Sequence, residues 1–178
     1  MAEPRYRGDK FKELLVYVAS KTADDPKLGD MKLNKLLYFA DVTAYRRRGE
    51  PITGAKYHHQ AHGPLAKPLL LARDELVRKD RLKIAYRDYH GHRQRVTEAT
   101  DEVRIGLFDP DEIAIVDEVI ERFRSFDGTE MEQIAHQEPG WQMTTDGEVI
   151  PYRAALLART ASPRAIERGK ELAERFGW

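Results

Sequence analysis

The stretch from Lys32 to Pro64 most constrains what this chain can fold into. Leu33, Leu36, Leu37, Ala40 and Ala44 recur at the i, i+3, i+4, i+7 spacing of one helical face, which predicts a helix over residues 32–48 with that face buried. Asp30 stands where an N-cap belongs. Gly49-Glu50-Pro51 should end the helix, because glycine accepts the left-handed C-cap and proline cannot continue the ladder. Tyr57 and His59 alternate with Lys56 and His58 in a brief extended run, and Gly63-Pro64 is expected to close it by opening a third helix over residues 65–80.

Composition limits the rest. With 178 residues, the chain can bury one respectable core, and a single domain over residues 1–178 is expected, its core at about 10–160 and a last helix at 163–176. Thirty Lys plus Arg balance thirty Asp plus Glu, so no global field attracts nucleic acid, a membrane or an acidic substrate. No apolar run approaches the ~18 residues of a spanning helix, and Met1-Ala2-Glu3-Pro4-Arg5 lacks the apolar core of a signal peptide, so a cytoplasmic location is expected. The absence of cysteine excludes disulfides, thiolate catalysis and zinc-thiolate clusters.

Local signals along the chain predict a mostly α, α+β fold. Asp9 can cap a first helix with an apolar stripe of Phe11, Leu14, Leu15 and Val18. Residues 82–99 read as a β-hairpin turning at His90-Gly91, a register that sets Asp88 opposite Arg93 and Lys83 opposite Glu98. Three helices followed by such a hairpin give a winged-helix-like order. Asp109-Pro110 starts a helix burying Ile113, Val116, Ile120 and Phe123, and Thr129 with Glu132 forms a capping box for another. Pro139-Gly140 should stop that helix and deliver Trp141 to the core. Charge also separates: residues 78–95 hold seven Lys or Arg against two acids, whereas residues 109–138 hold ten acids against two arginines, a distribution that fits solvated faces or a bipolar surface.

Residues that could do chemistry form no convincing constellation. Metal binding would draw on His58, His59, His62, His90, His92 and His136, but the His59-x-x-His62 spacing is not that of a helical zinc-hydrolase pair, and no metal or other cofactor is expected. Neither a Gly-x-Ser-x-Gly elbow nor a phosphate loop nor a dinucleotide fingerprint occurs. An enzyme is therefore not expected. The third helix is largely Leu and Ala, which gives little with which to read a groove, so nucleic-acid binding by this chain alone is not expected either.

One family accounts for the order of these motifs. Lys32-Leu33-Asn34-Lys35-Leu36-Leu37-Tyr38-Phe39-Ala40-Asp41, then Gly54, Tyr57, His62-Gly63-Pro64 and Pro68, and later His136-Gln137-Glu138-Pro139-Gly140-Trp141, resemble the Panacea antitoxin domain, also called SocA-like or GepA-like. Asn34 stands where that family more often has Gln, and Leu69-Leu70 where an aromatic is common. The resemblance implies a compact helical domain and a non-enzymatic bacterial or prophage antitoxin. It implies as partner a cognate toxin, often a translation inhibitor, bound directly. Alternatives are delivery of the toxin to a ClpXP protease, as for SocA, and DNA binding in winged-helix fashion. The expected contact surface is the exposed side of the second helix around Tyr38, Asp41 and Tyr45, with Tyr57, His59, His62, Gly63 and Pro64 beside it.

Overall fold

The computed structural model describes residues 3–157, so the expected last helix at 163–176 lies outside the described residues. The elements run α1 (Gly8–Lys21), α2 (Asp30–Arg48), β1 (Tyr57–His58), β2 (Leu65–Ala66), α3 (Leu69–Arg78), β3 (Leu82–Tyr89), β4 (His92–Ala99), α4 (Pro110–Arg122), α5 (Gly128–His136) and α6 (Pro139–Gln142), with 3-10 turns at Ile105–Leu107 and Tyr152–Leu156. This is the α+β, mostly α architecture expected, and three helices do precede the β3-β4 hairpin.

Helix α2 is the axis of the structure. The leucine stripe is buried as expected, but Asn34, Lys35, Tyr38, Phe39, Asp41, Val42 and Tyr45 are buried too. An amphipathic reading gives one buried face; here α1, α4, α5, the β1-β2 ribbon and the Tyr152–Leu156 turn pack around the helix, leaving Asp30, Met31, Thr43 and Arg46 half-buried and Arg47 and Arg48 exposed. Each enclosed leucine adds about 1.5–3 kcal/mol of apolar burial, so the helix supplies much of the core. Gly49 ends it in the left-handed region at φ 76°, donating back to the Tyr45 carbonyl, as its sequence signal implies.

Several helix starts depart from expectation. Asp30 is the first helical residue after Gly29, and Asp9 lies within α1 after Arg7, so neither aspartate caps. Asp30 instead pairs with Arg73 at 2.7 Å and Arg95 at 3.6 Å, tying α2 to α3 and β4. Gly63-Pro64 does not open a helix: Leu65 and Ala66 pair antiparallel with His58 and Tyr57, and α3 starts only after Pro68. Asp109 caps α4, as predicted, and also forms a complete capping box with Glu112. For α5 the box is Asp127 with Glu130, two residues before the expected Thr129 with Glu132. Pro139-Gly140 starts the one-turn α6, not a stop.

The β3-β4 hairpin has the predicted register, Asp88 opposite Arg93 and Lys83 opposite Glu98, with the latter pair joined at 2.9 Å. His90 at φ 51° and Gly91 at φ 76° give the two left-handed residues that a type I′ turn demands. Gly91→Ala should therefore cost about 1 kcal/mol in urea denaturation. Gly106→Ala, at ordinary φ with open space around its Cβ position, should change stability by no more than about 0.5 kcal/mol.

One buried ion pair seats the hairpin on α1. The Arg81 guanidinium donates to the Glu13 carboxylate, to Asp101 at 2.9 Å and to the Glu102 carbonyl at 2.8 Å, and the Arg104 N–H reaches Glu13 at 3.0 Å. Burial pushes the Glu13 carboxyl up, but these donors outweigh it and hold it below the usual carboxylate range.

Candidate functional site

The motif that opens the sequence builds a polar knot at the centre of the protein. Asp41 is fully enclosed, and its carboxyl receives the Thr53 N–H at 2.7 Å and the Thr53 hydroxyl, while the Tyr57 and Tyr152 hydroxyls lie 2.9 and 3.3 Å away. Tyr57 also reaches the Leu37 carbonyl at 3.0 Å, and Tyr152 the Ala55 carbonyl at 2.7 Å. Three separate chain segments, α2, residues 53–57 and the turn at Tyr152, thus meet on one carboxyl. Burial raises its pKa even though hydrogen bonds from Thr53, Tyr57 and Tyr152 oppose the shift.

The first half of the motif has a comparable task. Asn34 donates to the Pro64 carbonyl at 2.6 Å and accepts from the Ala66 N–H at 3.0 Å, closing the free edge of β2 as a third strand would. The Lys35 ammonium meets the same carbonyl at 3.2 Å beneath Gly63, whose added Cβ would lie 3.0 Å from the Lys35 stem. Lys32, 1 % exposed, binds Asp25 at 2.7 Å and the carbonyls of Phe126 and Arg124 at 2.6 and 3.2 Å. It pins the α4-α5 corner to α2.

The histidines fall into separate settings. Trp141 is not delivered to the core but lies half-buried between the His59 and His136 rings, with centroids 4.3 and 4.0 Å away, and its indole N–H donates to the Gln60 carbonyl at 3.2 Å. His59 Nδ1 faces the Trp141 carbonyl and the Thr144 hydroxyl, whereas His62 Nδ1 faces Glu132 at 3.2 Å on the surface. The two rings of the His59-x-x-His62 pair therefore have different partners. Among the described residues no group of three or more His, Asp or Glu side chains is arranged to hold a metal ion.

The expected contact surface needs correction. Tyr38 at 2 %, Asp41 at 0 %, Tyr45 at 7 % and Tyr57 at 2 % exposure are interior residues. Tyr38 packs edge-on against Tyr57, and Tyr45 lies tilted against Tyr152 with ring centroids 5.6 Å apart. The cause is tertiary: the ribbon and the Tyr152–Leu156 turn cover the side of α2 that its own pattern leaves open. Gly63 and Pro64 are buried as well; His59 is half-buried and His62 exposed. Thr53 and Tyr152, essential to the knot, carry no local signal, because their role depends on segments 12 and 111 residues away from Asp41.

The separated charges are also largely used within the chain. Arg46, Arg47 and Arg48 at the end of α2 pair with Glu138, Glu118 and Asp109, and Lys10 with Glu112. On the hairpin, Lys83 and Arg87 both close on Glu98. The acidic and basic stretches are solvated, internally neutralised faces more than opposed fields.

A helical scaffold whose motif side chains fasten ribbon, loops and helix corners to one central helix is the class defined here. The family model for antitoxin SocA-like proteins, Panacea domain, matches residues 33–142, more than half of the chain. The chain belongs to that family, which supports a generic antitoxin role and points to a non-enzymatic one. No curated protein and no solved structure matches the chain. Among the described residues no helix is long and apolar enough to cross a membrane.

Proposed function

We propose that the chain neutralises a cognate toxin in the bacterial cytoplasm by binding it directly as a rigid body. The observation that carries this reading is where the motif side chains go: Lys32, Asn34, Asp41 and Tyr57 each bind another segment of the same fold. They make a preorganised scaffold, and a scaffold acts through its outside. Sequestration needs such a surface and no bond-making group.

Co-expression tests this. The protein encoded by the adjacent reading frame should arrest growth when induced alone, and this chain should restore growth and co-purify with it in a stable complex. Restoration that vanishes in a strain lacking ClpXP would assign the adaptor role. A promoter fragment shifted by the chain alone, with affinity falling steeply as salt rises, would assign the DNA-binding role.

A further inference from the structure

The outer side of the β1-β2 ribbon combines exposed apolar residues with two facing lysines. His58 pairs with Leu65 on one side and bridges Val149 on the other, so Val149, His58 and Leu65 stand abreast on one face. The next residues out, Lys56 and Lys67, are joined by the Lys67 N–H to the Lys56 carbonyl at 2.9 Å. They share that face, because Tyr57 and Ala66, which alternate with them, point inward. Pro68 then turns the chain into α3, whose first turn leaves Leu70 and Leu71 exposed at 59 and 77 %; Leu65 and Val149 stand at 40 and 38 %.

Two features here suit contact with a partner. Like charges directly across a ribbon repel, and no carboxylate of the described residues pairs with Lys56 or Lys67, whereas Lys83 on the neighbouring hairpin and Arg47 and Arg48 at the end of α2 each meet an acid. Leu70 and Leu71, consecutive and exposed just beyond the ribbon, add apolar surface of the kind that marks an interaction site.

We infer that this face is the toxin-docking surface. The partner presents an apolar strip to Leu65, Leu70, Leu71 and Val149, bordered by carboxylates that meet Lys56 and Lys67. Charge selects this occupant. In a twofold pairing of two copies the patch would meet itself, bringing four lysines into one interface with no carboxylate among the patch residues to meet them. A nucleic acid would leave the leucines without apolar cover. The inference rests on the antitoxin reading above and names the surface that reading requires.

The test uses the full chain and the purified product of the adjacent reading frame, with affinity measured by calorimetry. The double variant Lys56→Glu/Lys67→Glu and the single variant Leu70→Asp should each bind about 100-fold more weakly or worse. Ile105→Asp, on another surface and itself 51 % exposed, should bind within about threefold of wild type. Thermal unfolding of all three should match wild type within a few degrees, which separates lost contact from lost fold. Wild-type binding with undiminished affinity in the ribbon variants overturns this surface and leaves the antitoxin reading standing. Failure of the wild-type chain to bind overturns both. Self-association abolished by Leu70→Asp, or a promoter shift abolished by the lysine pair, would give the face to another occupant and also overturn the inference.

Discussion

Asp41→Ala should cost about 3–5 kcal/mol of folding stability, a large share of the ~5–15 kcal/mol that holds a domain together. The substitution removes the acceptor shared by the Thr53 N–H and hydroxyl and faced by two tyrosines, all in the interior, and each buried donor left without a partner costs about 1–3 kcal/mol. Asp41→Asn should cost only about 1 kcal/mol. Its carbonyl can keep the Thr53 N–H, and its amide can donate to the Tyr57 hydroxyl while that hydroxyl donates to Leu37. The pH dependence separates the two further. Burial raises the Asp41 pKa in the folded state, so between the unfolded value near 3.9 and the folded one the folded protein binds more protons. Stability from this group is fullest at low pH and declines as pH rises through that window; Asp41→Asn should abolish its share of the decline. Urea denaturation across pH measures both effects. A cost below about 1 kcal/mol for Asp41→Ala would mean that the knot does not hold the segments together.

Lys35→Met should have the opposite sign. Lys35 is 2 % exposed, and burial pushes its pKa down to about 8, only partly offset by Glu132. Between that value and the unfolded value of about 10.4 the unfolded chain binds more protons, so stability rises with pH across the interval and is reduced below it. A neutral side chain of similar volume escapes that penalty, which predicts a gain of up to about 3 kcal/mol at pH 7 and loss of the rise above pH 8. The Pro64 carbonyl still has Asn34 at 2.6 Å. Destabilisation by more than about 1 kcal/mol at pH 7 would show that the ammonium is a fastener in its charged form.

Much of the scaffold was legible because its signals are local. The His90-Gly91 turn fixed the register of the hairpin, Asp109-Pro110 the start of α4, and Gly49 the end of α2. Signals that two neighbours satisfy equally were not decidable. Asp127 with Glu130 and Thr129 with Glu132 both meet the capping-box spacing, and only the folded chain shows the first in use, leaving Glu132 to face His62 and His136. The contact surface was misread for a different reason. A helical stripe tells which face is buried first, but burial of Tyr38, Asp41 and Tyr45 comes from the ribbon and from residues beyond 150, which no local period encodes. In the segment 57–64 the alternation of the strand decides exposure: Tyr57 points in, whereas Lys56, His58, Leu65 and Lys67 form the outer face.

Amide hydrogen exchange of the free chain and of its complex with the neighbouring gene product puts the account to its most direct test. New protection should appear at residues 56–58, 65–71 and 148–149, with exchange of the amides around Asp41 and Thr53 unchanged because they are already locked. Protection confined to the 82–99 hairpin, or amides around Asp41 that become protected only on binding, would contradict a rigid interior that presents its ribbon face to the partner.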